Sequence, residues 1–403
     1  MKKSFFEVLT LVVVLALTGC RQAGAPEALP VIDLSKDYPE KEFVAQDLFD
    51  VEYVPLETND EFLVGGFVLA VSGHYIVTVD PMHEMGSIIL FDRRTGKGLL
   101  KMNQLGKGPE DYSCVDDVIP DDANDELFVI DSAGRKIQVY SMRDGSFRRS
   151  LPYAAEADYG FVDNYDEQHL MVYDKSIYLK DGEPRDKPYY HFLISKTDGK
   201  VVRPLPVSFD EIHAPVSLRR ENGRMVSMLV SHLPAIVPNR GNWLLVETSS
   251  DTVYNYLTDG QRMEPFLLRK TTEDFDRMLG IGVMTDRYWF MTRVITKEME
   301  QGSTTISFSD IFQVSNLVYD RREGRCYTSL VRNADFVRGE DDLVDLCAFP
   351  VNSGDVAAFL PMMAHRLVAA YEDGKLNDGP LKDLASRLDA EDNPVLMLMK
   401  YKK

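Results

Sequence analysis

The chain has 403 residues, 44% of them hydrophobic, and a formal net charge of −19. That apolar content excludes a disordered chain, and the charge repels phosphate backbones, so nucleic acid is not an expected partner. Length alone suggests two or three domains, but large all-β folds reach this size as one.

In chain order the first feature is an export signal. Lys2 and Lys3 precede an apolar run from Val8 to Leu17, interrupted by no charge and too short to span a bilayer. Leu17-Thr18-Gly19-Cys20 then sets small residues before a cysteine, and this resembles the bacterial lipobox. The resemblance implies cleavage after residue 19 and a diacylglycerol on Cys20. Residues 1–19 are read as signal peptide and 20–30 as lipidated cysteine and flexible tether, rich in Ala, Gly and Pro. Residues 31–403 are read as one folded domain.

From Phe49 onward, short apolar or alternating runs recur in pairs. Tyr75–Val79 precedes Ile88–Phe91, Leu127–Ile130 precedes Lys136–Tyr140, and Trp243–Val246 precedes Thr252–Tyr256. Tyr288–Met291 precedes Val314–Tyr319, and Val356–Leu360 opens a last unit. Continuous hydrophobicity suits a strand buried on both faces, and alternation suits one wet on one side. Each unit is punctuated by a polar residue and glycine: Thr95-Gly96, Asp144-Gly145, Asp198-Gly199, Asp259-Gly260, Glu323-Gly324 and Asp373-Gly374. Glycine accepts the positive φ that tight hairpin turns require. The sixth pair follows a segment that reads equally well as a helix. Spacing of roughly 50–65 residues is close to the period of propeller blades.

These units predict an all-β fold, a six-bladed β-propeller with a short C-terminal helix before the closing strand. A seven-bladed ring and a pair of β-sandwiches are the alternatives. Phe49–Leu56 and Val395–Tyr401 are expected to complete one shared blade, because a ring left open exposes a strand edge. Leu381, Leu384, Ala385 and Leu388 share a helical face after Pro380, and Asn393-Pro394 ends that helix.

Gly106-Lys107-Gly108-Pro109-Glu110-Asp111-Tyr112 resembles a signature of six-bladed propeller lipoproteins of Bacteroidetes-type bacteria, and Glu391-Asp392-Asn393-Pro394-Val395-Leu396 resembles the same family's terminal strand entry. The resemblance covers both ends and the first blade. It implies a propeller, an envelope location and a binding role, and it transfers no catalytic residues. In the residues themselves, Gly106 and Gly108 permit sharp turns, Pro109 fixes φ, and Tyr112 can bury its ring, so the loop is expected to pin the first blade to the second. It lacks the features of a phosphate loop.

No catalytic residues are assigned. There is no G-x-S-x-G and no H-E-x-x-H, and no metal or cofactor is expected. His83-Glu84 reads as a surface loop, and the oxygen-rich stretch Asp121–Glu126 reads as a solvated hairpin turn. Trp243 and Trp289 read as core between blades. Cys326 and Cys347 either pair in an oxidising compartment or remain buried thiols. Lys175, Lys180, Arg185 and Lys187, interleaved with Tyr178, Tyr189 and Tyr190, make one insertion basic on an acidic protein and form the candidate ligand loop; Lys297–Ser309 is a second long insertion.

The expected function is therefore a non-catalytic envelope lipoprotein, a binding or scaffold module in glycan or nutrient handling. The alternative is a propeller enzyme, a polysaccharide lyase or hydrolase with its site at the channel mouth. Expected partners are the membrane, through the anchor, and an envelope protein complex or glycan. Arg21 in place of an aspartate points to the outer membrane, and Arg21 to Pro26 lack the acidic cluster that resembles a surface-export signal, which points to the periplasmic face.

Overall fold

The computed structural model describes residues 28–81, 84–177, 187–213, 216–221, 224–229, 233–272, 276–297 and 312–403. The chain first lays down strands β1 (Val31–Asp33) and β2 (Glu40–Val44), a helical turn α1 (Ala45–Leu48), and β3 (Phe49–Pro55). Antiparallel meanders follow. Blade 1 is β4 (Phe67–Val71), β5 (Tyr75–Asp80), β6 (Ser87–Asp92) and β7 (Gly98–Met102). Blade 2 is β8 (Asp117–Asp121), β9 (Glu126–Asp131), β10 (Lys136–Ser141) and β11 (Phe147–Pro152). Blade 3 is β12 (Tyr159–Asn164), β13 (His169–Asp174), β14 (His191–Ser195) and β15 (Val201–Leu205). A separate hairpin, β16 (Val216–Glu221) and β17 (Arg224–Leu229), precedes blade 4: β18 (Ile236–Asn239), β19 (Asn242–Leu245), β20 (Thr252–Leu257) and β21 (Arg262–Lys270). Blade 5 is β22 (Arg277–Met284), β23 (Tyr288–Thr296), β24 (Phe312–Asp320) and β25 (Arg325–Arg332). Blade 6 is β26 (Pro350–Ser353), β27 (Val356–Met362) and β28 (Val395–Tyr401), with helices α2 (Ala364–Glu372) and α3 (Pro380–Ala385) between the last two.

The fold is the six-bladed propeller that the spacing predicted. Closure is by the expected strands: β3 is the fourth strand of blade 6, antiparallel to β28 from Val395↔Pro55 to Tyr401↔Phe49. The sequence did not disclose what the chain does before that. β1 adds in parallel to the outer strand of blade 4, and β2 does the same on blade 5. The N-terminal segment thus runs along the outside of three consecutive blades before the first blade begins.

The core is divided among the blade interfaces, as expected when each sheet is too narrow to bury itself. Phe128, Ile137, Leu170 and Phe192 fill the gap between blades 2 and 3, while Leu244, Leu267, Ile281 and Met291 fill that between blades 4 and 5. At the closure, Val54, Leu396 and Leu398 pack on Ile76 and Phe91 of blade 1. Trp243 and Trp289 are core residues, 5% and 7% exposed.

Five of the six glycine turns lie in hairpins joining the third and fourth strands of blades 1 to 5, with φ between 62° and 78°. At Gly96 two demands coincide: φ is 69°, and a Cβ would lie 1.9 Å from the Pro55 carbonyl oxygen. The sixth pair, Asp373-Gly374, corrects the reading of a hairpin: it ends α2, with Gly374 at φ 66°. An αL glycine is the usual stop for a helix as well as for a hairpin, so the pair alone could not separate the two.

Asn393 ties the two ends together. Its side-chain amide donates to the carbonyl oxygens of Glu57 and Phe62, 2.6 Å each, and its Oδ1 accepts from the Val64 amide at 2.8 Å. It is 3% exposed. Asn393→Ala leaves three backbone groups unpaired and is expected to cost about 3 kcal/mol, at roughly 1 kcal/mol per bond. Thermal unfolding by circular dichroism should show a clearly lowered midpoint; an unchanged midpoint would remove Asn393 from the closure.

Candidate functional site

A meander of four antiparallel strands puts its first and third turns at one end of the propeller axis. The connections between strands two and three, and between blades, fall at the other end. In this chain the first set is short throughout: 72–74, 122–125, 165–168, 240–241, 285–287 and 354–355 near the axis, and 93–97, 142–146, 196–200, 258–261 and 321–324 at the rim. The second set contains all the long connections. It holds 103–116, the connection containing β16 and β17, the segment 333–349, and both C-terminal helices. The strand ends flanking residues 178–186 and 298–311 also lie at this end. One end is therefore tight-turned and the other loop-rich.

The inner strands enclose a channel of about 820 Å³, lined by β4, β8, β12 and β18 and by 347–351. Phe161, Tyr165, Trp243 and Phe349 give it aromatic wall, and Phe349 is 39% exposed. Most of its polar groups are occupied by the fold. Ser72 donates to Asp122 at 2.7 Å, and Asn242 accepts from the Thr258 amide at 3.2 Å. The buried Lys196 ammonium reaches Asp121 and Asn164, 2.6 Å each. Burial alone would raise the Asp121 pKa; Lys196 and Asn124 outweigh it and hold the carboxyl below its ordinary value.

Asp117 and Asp163 differ. Each is half-buried in the channel wall, and the hydrogen bond found for each carboxylate comes from the next residue's amide, Val118 at 2.8 Å and Asn164 at 2.6 Å. With no cation beside them among the described residues, burial pushes Asp117 up to about 7 and Asp163 to about 6, and the Asp163 charge adds to the effect on Asp117. Neither residue stood out in the sequence. The signal, a polar residue inside an otherwise apolar inner strand, becomes visible only when β8 and β12 are known to face the axis.

A profile described as a domain of unknown function, DUF4934, matches residues 29–400. The chain belongs to the DUF4934 family. A Bacteroides fragilis protein described as exported superposes with a TM-score of 0.60 at 15% identity, over 93% of this chain and 100% of that one. At that identity the likeness shows the fold. A DUF4221 member from Bacteroides vulgatus (TM-score 0.45, 9% identity, 88% and 98% covered) and BamB from Moraxella catarrhalis (0.33, 12%, 86% and 85%) resemble the chain more loosely. No curated protein matches the sequence.

In this DUF4934 chain the signature loop is a clasp between blades 1 and 2. Gly106 and Tyr112 bond through the backbone at 3.0 Å, and the Tyr112 hydroxyl donates to the Gly86 carbonyl at 2.6 Å. From blade 2, Gln138 donates to the Pro109 and Asp111 carbonyls, and Tyr140 to that of Glu110. A Cβ on Gly106 would sit 2.1 Å from the Asp111 carboxylate, and one on Gly108 2.9 Å from it.

The candidate ligand loop divides. Tyr178, Lys180 and Arg185 lie outside the described residues, as does Cys20. Lys187 turns inward, its ammonium 2.6 Å from Asp174 and 2.8 Å from the Ser176 hydroxyl. Tyr190 is 3% exposed and accepts the Lys187 amide, and Tyr189 packs on the core between blades 2 and 3. Lys175 stays near the surface, 3.9 Å from Asp158.

The remaining chemistry is structural. Cys114, Cys326 and Cys347 are free thiols, and burial pushes Cys114 to about 11 and Cys326 to about 12. Buried His191 is held neutral, its pKa lowered to about 4 by burial, with Nε2 donating to the Ala235 carbonyl at 3.0 Å. His83 and His232 fall outside the described residues, among which no cluster of metal ligands occurs.

Two predictions follow from this geometry. Lys187→Ala strands Asp174, 2% exposed, without its cation, and is expected to destabilise by about 3 kcal/mol in chemical denaturation. Asp117→Asn acts in the opposite sense. A carboxyl whose folded pKa is raised binds its proton more tightly when folded, so stability falls as pH rises from about 4 to about 7. The variant should match the parent at pH 4 and exceed it at pH 8, by about 1–2 kcal/mol after screening by channel water. A pH-independent difference would exclude Asp117 titration.

Proposed function

We propose that this DUF4934 protein is an exported lipoprotein, held by Cys20 to the outer membrane and facing the periplasm. Its propeller serves there as a non-catalytic binding or scaffold module in glycan or nutrient handling. The observation that carries the binding reading is topological: the long connections gather at one end of the axis, where rigid blades present loops free to vary. The aromatic channel wall suits the apolar face of a sugar ring, and the basic residues Lys175, Lys180 and Arg185 suit an anionic glycan or the acidic face of a partner protein. Export is supported by the apolar leader ahead of Cys20 and by the exported Bacteroides fragilis neighbour.

One observation favours the enzyme reading, a polysaccharide lyase or hydrolase. Asp117 and Asp163 are carboxyls tuned toward neutrality inside a channel, as general acid–base chemistry requires. Assay of the purified protein against envelope and dietary polysaccharides separates the readings. Turnover abolished by Asp117→Asn or Asp163→Asn would establish the enzyme; binding without turnover supports the module.

Anchoring is tested by Cys20→Ala, which should move the protein from the membrane pellet to the soluble fraction, whereas continued pelleting would overturn it. Because Lys187 serves the fold, the loop is best tested by Lys180→Ala with Arg185→Ala. This pair should leave the unfolding midpoint unchanged and abolish the glycan or partner recovered with the native lipoprotein; retained recovery would exclude the loop.

A further inference from the structure

The net charge is not spread over the propeller. At the tight-turned end, the eleven short turns together with 402–403, which follow β28 at the same end, carry twelve Lys and Arg against ten Asp and Glu. At the loop-rich end, the described connections, β16 and β17 included, carry 27 Asp and Glu against thirteen Lys and Arg. The protein is thus an axial dipole. One end is close to neutral with a slight positive excess, and the other holds most of the net negative charge.

The two ends act separately. Strands of four to nine residues make the ring roughly 15–30 Å thick, at about 3.3 Å per residue. Charges are screened beyond about 8–10 Å at physiological ionic strength. A charged surface beneath the ring therefore responds to whichever end faces it, not to the whole-molecule charge.

We infer that the tight-turned end faces an anionic lipid surface and that the loop-rich end is held away from it. This rests on the proposed anchor at Cys20. The chain enters the ring at β1, on the outermost edge of blade 4 beside the last three residues of β21, so the tether leaves from the rim in its loop-rich half and must reach past the ring's edge to either end. Residues 21–30 span at most about 35 Å, at about 3.5 Å per residue. The tether keeps the ring close to the bilayer without choosing its tilt, and the choice falls to charge. Anionic headgroups repel the loop-rich end. They tolerate the opposite end, where Arg93, Arg94 and Lys97 sit on one rim turn and Lys402 and Lys403 close the chain. With twelve charges nearly balanced by ten, orientation comes more from repulsion of the acidic end than from attraction of the other. The consequence for binding is direct: the channel's loop-rich mouth opens toward the aqueous compartment.

The test uses the full lipidated chain in vesicles of phosphatidylethanolamine with phosphatidylglycerol, carrying a headgroup-labelled acceptor lipid. A donor fluorophore is placed at Thr95→Cys on the tight-turned end or at Asp389→Cys on the loop-rich end, with labelling of the parent's three half-buried thiols subtracted. Energy transfer should be at least twofold greater from position 95 than from position 389. The difference should shrink in 0.5 M salt or in vesicles of phosphatidylcholine alone. Equal transfer, greater transfer from position 389, or a difference insensitive to salt would each overturn the orientation. Flotation of the same samples separates the two readings. Failure to float overturns the anchor and the orientation together, while flotation with equal transfer overturns the orientation alone.

Discussion

The seam between β28 and β3 is the constraint on which the rest depends. A blade buries its faces only against its neighbours, so an open ring would leave two faces wet and two strand edges bare. Here the seam joins residues more than 300 positions apart, from Val395↔Pro55 to Tyr401↔Phe49. Every residue of β28 from Val395 to Met399 is buried. Contacts of such sequence separation form late, because the entropy of closing the loop must be met before they stabilise anything. The Asn393 clasp and the parallel additions of β1 and β2 hold the N-terminal segment along blades 4 and 5 and so support closure from outside the ring.

A second device repeats around the ring beneath the glycine turns. The second strand of three blades ends in a buried acid, Asp80, Asp131 or Asp174, and in blade 4 buried Glu247 lies two residues past the end of the second strand. Each accepts amides from loops at the loop-rich end. Asp131 takes those of Ser113 and Gly134, Asp174 those of Asp158 and Ser176, and Glu247 that of Ser249. Asp131 and Asp174 each join the loop entering their own blade to the loop leaving the second strand. Burial would raise Asp131, but the amide donors outweigh it and its pKa is lowered; at Glu247 burial wins and the pKa is raised.

Much of the frame was legible because it depends on local chemistry. Glycine at positive φ, continuous against alternating strands, and two apolar terminal runs gave blade number and closure. The acids just described were also present in the sequence, as Val77-Thr78-Val79-Asp80, Phe128-Val129-Ile130-Asp131 and Met171-Val172-Tyr173-Asp174. They read as strand ends until their partners in neighbouring loops were known. The parallel additions of β1 and β2 were not legible: three and five residues carry no period, and their partners lie more than 200 residues away. The channel carboxylates were hidden for a related reason. Asp117 and Asp163 look like any polar residue at a strand margin, and only the axis brings them together. The basic loop illustrates the converse. Lys187 and Tyr190 look like surface chemistry in sequence, and the fold spends them on Asp174 and on the core.

The charge asymmetry has a structural origin that makes it more than an accident of composition. Basic residues at the tight-turned end tie blades to one another. Lys196 of blade 3 reaches Asp121 of blade 2, Arg93 of blade 1 meets Asp355 of blade 6 at 2.8 Å, and Arg240 of blade 4 pairs with Asp286 of blade 5. Exposed pairs of this kind contribute little each, and the Lys196–Asp121 pair, buried on both sides, is the one whose loss would be felt. Such ties match acids with cations at three blade junctions of that end, while at the junction of blades 1 and 2 Asp122 also takes the Ser72 hydroxyl. The loop-rich end is tied largely through carboxylates that accept backbone amides, with Lys187 as an added cation at Asp174. Acidic residues can therefore accumulate there without unpairing anything in the frame. The same division of labour that closes the ring thus leaves one end near neutrality and the other strongly acidic.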